Sequence, residues 1–264
     1  MTIALLPKQI LLLKNRQSLN YNPTTAEKEY FLAVVSQVIY TSPLAKKIVF
    51  KGGTALHHCY LPQSRFSEDL DFSTIDTSIS LDDVKKAIES QPFLEVKDTY
   101  VSKATIKIER LKYSGVLGQA NSLKLDIDVV QNVVLPPKEL PYTNVWGVET
   151  KVHVMEIKEI CSEKLRAMSD RARYRDFYDF VLVMREYSFN FAEIYDLLKQ
   201  KEIRKVVSKD AILANWQLAK EGKLKERTTV YYKDPLADHN EQVEKLLTGL
   251  SFEPIATNSK FQEK

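Results

Sequence analysis

The sequence predicts an α+β protein in two parts: a mixed-sheet lobe over residues 1–155, followed by a helical bundle over residues 156–264. Three observations predict this. Between residues 47 and 155, short segments alternate apolar and polar residues at period two, which is the strand pattern. From residue 156 onward the long segments carry apolar residues at helical spacing instead. No repeat and no Pro/Gly/Ser-rich linker divides the chain, so the boundary near 155 is a change of pattern rather than a gap.

The elements follow in order. TTAEKEYFLAVVSQVIY (24–40) opens on threonine and continues with apolar residues at helical spacing, so it reads as a helix. KIVF (47–50) reads as a short buried strand that runs into Lys51-Gly52-Gly53, and 54–60 as a short helix. DLDFS (69–73) alternates and reads as a strand. Ser80 and Asp83 have capping-box spacing, and Pro92 lies beyond the far end, which predicts a helix over 80–90. Strands are expected at 93–101, 104–113 and 122–131, then a proline-rich extended loop (Pro136, Pro137, Pro141) and one more strand at 150–155. Helices are expected at 156–170, 174–187, 190–201, 207–220 and 239–249.

Composition narrows the class. The 264 residues carry 38 Lys+Arg against 35 Asp+Glu, a net charge of +3, with 44% hydrophobic and 28% charged residues. That balance excludes a membrane protein and a disordered chain. Two cysteines, Cys59 and Cys161, cannot build a disulfide framework, and the apolar stretch Ile10–Leu13 is too short for a signal or membrane segment. A cytoplasmic protein with no membrane association is expected. Only seven glycines occur in 264 residues, about 2.7% against a usual level of roughly 7%. A chain this sparing with glycine has placed Gly52 and Gly53 where the backbone turns sharply or approaches something closely.

The chemistry concentrates around that pair. Period two puts Asp69 and Asp71 on one face of their strand, with Leu70 and Phe72 on the other. Two carboxylates side by side repel unless a cation lies between them, and Mg2+ takes such oxygens together with phosphates and water. In LKLDIDVV, Lys124, Asp126 and Asp128 share one face. If the two strands are neighbours, Asp69, Asp71 and a third carboxylate converge, and paired divalent ions there suit phosphoryl chemistry. Asp126 and Asp128 both qualify as the third. Gly52, Gly53 and Thr54 open a helix after a strand, where backbone N–H groups and the helix terminus can cradle phosphate. His57 and His58 are adjacent on a short helix and face two directions, so they are not read as a metal pair.

Phe50-Lys51-Gly52-Gly53-Thr54-Ala55-Leu56 through Arg65-Phe66-Ser67-Glu68-Asp69-Leu70-Asp71-Phe72 resembles the AbiEii-like nucleotidyltransferase toxins, a branch of the polymerase-beta-like nucleotidyltransferase superfamily. The resemblance continues at Lys124-Leu125-Asp126-Ile127 and in Glu163-Lys164-Leu165-Arg166-Ala167. It closes at Arg173-Tyr174-Arg175-Asp176-Phe177-Tyr178-Asp179-Phe180, so it spans roughly residues 48–181. It implies a two-lobed nucleotidyltransferase with Mg2+, or Mn2+ in its place, on Asp69, Asp71 and Asp126. The family's Lys-x-Asp pattern through Lys124 favours Asp126 over Asp128. Lys164 and Asp176 are implied to face the same site and to be needed for activity. Lys51, Gly52, Gly53, Thr54, Arg65, Ser67, Lys124, Arg173 and Asp179 are implied to bind substrate.

The function expected is transfer of a nucleoside monophosphate from an NTP to an acceptor hydroxyl. The resemblance implies the tRNA 3′ end as acceptor and a toxin paired with a cognate antitoxin. Transfer to a small molecule or a protein side chain, and a catalytically idle nucleotide-binding module, are the alternatives. Residues 199–227 hold nine bases against four acids and are expected to offer a surface to an RNA backbone.

Overall fold

A computed structural model of the chain describes residues 2–233 and 236–258, without the side chains of 227, 228 and 236–238. Two compact units are present. The first comprises residues 1–62, 67–132 and 137–155, the second residues 63–66, 133–136 and 156–264. Two short segments embedded in the front part of the sequence thus pack with the helices.

The first unit is built on one seven-stranded mixed sheet. Its strands are β1 (Ile48–Lys51), β2 (Asp69–Thr74), β3 (Leu94–Val101), β4 (Thr105–Tyr113), β5 (Asn121–Asp128), β6 (Lys138–Pro141) and β7 (Lys151–Val154), in spatial order β3-β4-β5-β2-β1-β7-β6. Its helices are α1 (Lys8–Ser18), α2 (Pro23–Tyr40), α3 (Gly52–Ala55), which runs on as a π-helical turn Leu56–Tyr60, and α4 (Leu81–Ile88). The expected capping box at Ser80 and Asp83 is present, each side chain bonding the other's backbone N–H. β2 is central, antiparallel to β1 and parallel to β5.

Alternation decides which face is the core. Phe50 pairs with Phe72, Leu70 with Leu125, Phe72 with Ile127, and Ile106 and Ile108 with Ile127 and Leu125. All of these are buried, and α2 packs against β5 and β7. On α2 and the turn after α3, a buried Glu29 carboxylate lies 3.2 Å from His58 Nε2, and His58 stacks on Tyr142. The histidine pair is therefore core structure. The opposite face of the sheet receives the charged residues of the same strands.

The second unit holds α5 (Ile157–Asp170), α6 (Tyr174–Tyr187), α7 (Phe191–Lys199), α8 (Lys209–Val230) and α9 (Leu236–Gly249). α5 packs on α6, α7 and α8, and α6 on α8 and α9. No helix among the described residues is long and apolar enough to cross a membrane. Both inserted segments are tied to these helices. Phe66 N–H donates to Val230 O and Lys233 N–H to Ser64 O, at 2.8 and 2.9 Å. Val134 and Leu135 N–H both donate to the Glu159 carboxylate at 2.9 Å.

Several bases of the stretch 199–227 have partners within the protein. Lys201 is buried, 2.6 Å from Glu159 and 3.0 Å from Glu163. Lys199 pairs with Asp196, Arg204 with Glu202 and Lys220 with Glu244, while Lys209 donates to Leu250 O. The side chain of Arg227 lies outside the described residues. Much of this charge neutralises neighbouring acids and backbone carbonyls.

Lys201→Ala is expected to destabilise the protein by about 3–5 kcal/mol, because it leaves a buried carboxylate uncompensated. Urea unfolding of the variant measures this, and a loss below about 1 kcal/mol would mean that the Glu159 charge is satisfied without Lys201.

Candidate active site

In the first unit, strand pairing assembles a row of charges. Lys51 on β1 is opposite Asp71 on β2, Asp71 is opposite Asp126 on β5, and Asp126 is opposite Lys107 on β4. Directly paired residues share a face, so the order across four strands is cation, carboxylate, carboxylate, cation. Asp69, two residues before Asp71, lies on that face and is opposite Lys124. Both β2 aspartates are half-buried. Lys124 is mostly exposed and 3.7 Å from Glu109.

The register separates the two candidates for the third carboxylate. Asp126 is level with Asp71, whereas Asp128 is level with Ser73. Asp128 ends the strand: its Oδ1 accepts the N–H groups of Val130 and Gln131 at 3.0 and 2.9 Å. The Asp126 carboxylate is engaged by Lys107 Nζ at 3.1 Å and by the Thr105 hydroxyl. Burial works to lower the Lys107 pKa, but Asp126, with Glu109 and Asp71, raises it overall. Lys107 and Thr105 are partners that no motif marked. Their signal was the alternation of β4, which becomes informative only once its pairing with β5 is known.

The glycine pair has a specific task. Gly52 has φ +77, and a Cβ at this residue would stand 2.4 Å from Asp71 Oδ2. Position 52 therefore requires glycine twice, for its left-handed backbone and for clearance beside the carboxylate. From sequence the closer demand is expected at Gly53. The positive φ falls on Gly52, and Gly53 is a buried helical residue. No side chain caps the amino end of α3. The Thr54 hydroxyl donates to Asp69 O at 2.5 Å, which binds the helix to the start of β2.

These residues fit a divalent cation. The donors are hard carboxylate oxygens on one strand face, and the missing Cβ of Gly52 makes room for the Asp71 carboxylate itself. Among the described residues no three His, Cys, Asp or Glu side chains stand together in a metal-holding group. Asp126 is engaged by Lys107, and Asp69 and Asp71 are the two carboxylates that β2 itself brings to this face. Mg2+ commonly takes one or two carboxylates with phosphate and water.

In the second unit the charges along α5 and α6 join into a chain, buried except at Arg171. Arg65 donates from Nε and Nη2 to the two Asp179 oxygens at 2.7 and 2.6 Å. Lys164 Nζ lies 2.7 Å from Asp179 Oδ2 and 3.1 Å from Asp176 Oδ1. Arg171 Nε donates to Asp176 Oδ2 at 2.8 Å. Burial pushes the Asp176 carboxyl up, but Lys164 and Arg171 outweigh it and hold the group at about 2. Arg171 is a further residue that sequence reasoning missed. Arg173 is exposed, and its pKa is lowered by partial burial and by Arg171 and Arg175 nearby. Ser67 is half-buried in the segment leading to β2.

A sheet face bearing paired carboxylates beside a glycine-opened helix, with a separate helical unit, is the architecture of a nucleotidyltransferase. The family profile described as "Nucleotidyl transferase AbiEii toxin, Type IV TA system" matches residues 34–258, and the chain belongs to that family. Enzymes of this family use an NTP and a divalent metal. Among solved structures, the chain is similar to MenT4, a nucleotidyltransferase toxin from Mycobacterium tuberculosis H37Rv. The TM-score is 0.64 at 19% identity, over 91% of this chain and 90% of that one. It is also similar to an H. pylori protein assigned to the nucleotidyltransferases, with a TM-score of 0.53 at 19% identity, over 86% of this chain and 94% of the other. Likeness at this identity speaks to the fold. Among curated proteins, none matches the chain.

Two predictions follow from this geometry. Gly52→Ala should cost about 1–2 kcal/mol from the left-handed backbone alone, and should remove activity by displacing Asp71. Thermal unfolding and a transfer assay read the two effects, and a fully active variant would show that Asp71 need not stay where it is. The second concerns acid. Asp176 is depressed from 3.8 to about 2 in the folded state, so its stabilisation is complete above about pH 4 and is lost as pH falls towards 2. The contribution is on the order of 2 kcal/mol. Acid unfolding of Asp176→Asn should lack that step, and identical acid profiles for variant and wild type would contradict it.

Proposed function

We propose that this enzyme moves a nucleoside monophosphate from an NTP to the 3′-terminal hydroxyl of a tRNA. It acts as the toxin of a pair with a cognate antitoxin and uses Mg2+, or Mn2+ in its place. The observation that carries the reading is the register that sets Asp71 level with Asp126 and Lys51, with Gly52 backed against the Asp71 carboxylate.

Asp69 and Asp71 would hold the cation, and Asp126 would join them on leaving Lys107. When bound, the cation supplies Lewis-acid stabilisation of phosphate charge. The backbone N–H groups of Gly53 and Thr54 donate to phosphate oxygens at the start of α3. Asp176, an anion throughout the neutral range, is the counter-ion of Lys164 and Arg171 and does not store a proton. In the transfer, the acceptor oxygen bonds to the α-phosphorus as the bond to the bridging oxygen breaks. Pyrophosphate leaves with that electron pair, and the hydroxyl proton is released. The chain's contribution is placement and charge. Crowding of Arg173 by Arg171 and Arg175 supports a polyanionic acceptor.

The test incubates the protein with each labelled NTP and either total RNA or a protein extract. Label should enter the tRNA fraction. Asp71→Asn should reduce it at least about a hundredfold, with the circular dichroism spectrum unchanged. Label confined to protein would replace the acceptor. Full labelling by Asp71→Asn would remove the carboxylate from the mechanism.

A further inference from the structure

We propose that Tyr100 is the stacking platform for a base of the acceptor strand, one that lies behind the reacting 3′ hydroxyl. The inference rests on the reading of the acceptor as an RNA end and of Asp69 and Asp71 as the cation site. All the residues concerned belong to the first unit. Tyr100 on β3 is directly paired with Lys107 on β4. It therefore extends the row of charges by one strand, which then reads Lys51, Asp71, Asp126, Lys107, Tyr100. Directly paired residues share a face, so Tyr100 stands on the same face as the carboxylates.

Among the described residues, Tyr100 is the only aromatic side chain that is mostly exposed, at 54%. Its ring has no hydrogen bond and no stacking partner among those residues. Its neighbour Val101 belongs to the other face, paired with the buried Ile106. Residues 97–112, the hairpin of β3 and β4, hold five bases against two acids. Lys97 and Lys112 lie against Glu95, Arg110 against Asp98, and Lys107 against Asp126. Lys103, at the hairpin turn, is exposed and has no ion pair among the described residues. An exposed ring with an unpaired ammonium three residues on is the combination that holds single-stranded nucleic acid, the ring stacking on a base and the cation meeting the backbone. Separation decides which base it takes. Three strand steps lie between Asp71 and Tyr100, about 14 Å along the row. The base of the incoming nucleotide is joined to the reacting phosphorus by a single ribose, too short a link to pass Asp126 and Lys107. The acceptor continues past its reacting hydroxyl nucleotide by nucleotide, and so reaches Tyr100.

The test measures two affinities in wild type, Tyr100→Ala and Tyr100→Phe. One probe is a short single-stranded RNA with a free 3′ hydroxyl, carrying 2-aminopurine next to its terminal nucleotide, whose emission changes when that base stacks. The other is each NTP with Mg2+ and no RNA. Tyr100→Ala should weaken RNA binding about tenfold and abolish the emission change, with NTP binding unchanged. Tyr100→Phe should keep both, because the ring stacks and the hydroxyl does not. Wild-type RNA affinity in Tyr100→Ala would overturn the proposal and leave the acceptor reading standing. An equal loss of NTP binding would also overturn it, by giving the ring to the incoming nucleotide. So would a wild-type dimer that Tyr100→Ala dissolves without any change in RNA affinity, since the edge would then serve a second copy of the chain. A wild type that binds no RNA would remove the acceptor reading, and the proposal with it.

Discussion

The site depends on one constraint: β2 must pair with β1 on one side and with β5 on the other in a single register. A slip of one residue along β2 would turn Asp69 and Asp71 into the apolar layer and Leu70 and Phe72 out of it. That layer is sealed by Phe50, Phe72, Leu125 and Ile127, all essentially unexposed. The hydrophobic face therefore selects the register, and the charged face inherits it. Like charges brought level on adjacent strands are unfavourable. Lys107, 3.1 Å from Asp126, offsets part of that cost, while Lys51, level with Asp71, lies 4.0 Å from Asp128 Oδ2. Gly52 completes the arrangement, because any larger residue would push into the carboxylate that β2 presents.

The second unit handles charge in the opposite way. Its ionic groups from Arg65 through Asp179 and Lys164 to Asp176 are buried and joined in series, and the series ends on the half-exposed Arg171. A second buried set joins Lys201 to Glu159 and Glu163, while Glu159 also accepts two backbone N–H groups. Buried ion pairs add little net stability over apolar packing, yet breaking one is costly. Such networks hold particular groups in particular places, and both sets hold one of the inserted segments, 63–66 and 133–136.

Much of this was legible in the sequence, for identifiable reasons. Period-two alternation in DLDFS and LKLDIDVV put the carboxylates on one face, and the strands β2 and β5 are indeed neighbours. The helices of the second unit announced themselves by apolar spacing. Three elements did not. In α1 the apolar residues form a consecutive run rather than a stripe, and only Leu11 and Asn15 are buried. β6 ends on Pro141 at the edge of the sheet, where a missing N–H costs nothing, so proline there is no sign of a loop. α8 extends ten residues beyond the expected 220, through Gly222 and a polar segment. A charge count also does not show which bases are buried: of the nine in 199–227, Lys201 is sealed against Glu159. Likewise the motif does not show that Arg65 and Asp179 hold each other by a two-point contact.

The central claim is that Asp69 and Asp71 present a cation site to a nucleotide. Calorimetric titration of an NTP, in the absence of acceptor and with increasing Mg2+, tests it most directly. The account predicts that Mg2+ tightens nucleotide binding to the wild type by at least about tenfold and leaves binding to Asp71→Asn unchanged. Equal metal dependence in the two proteins would contradict it.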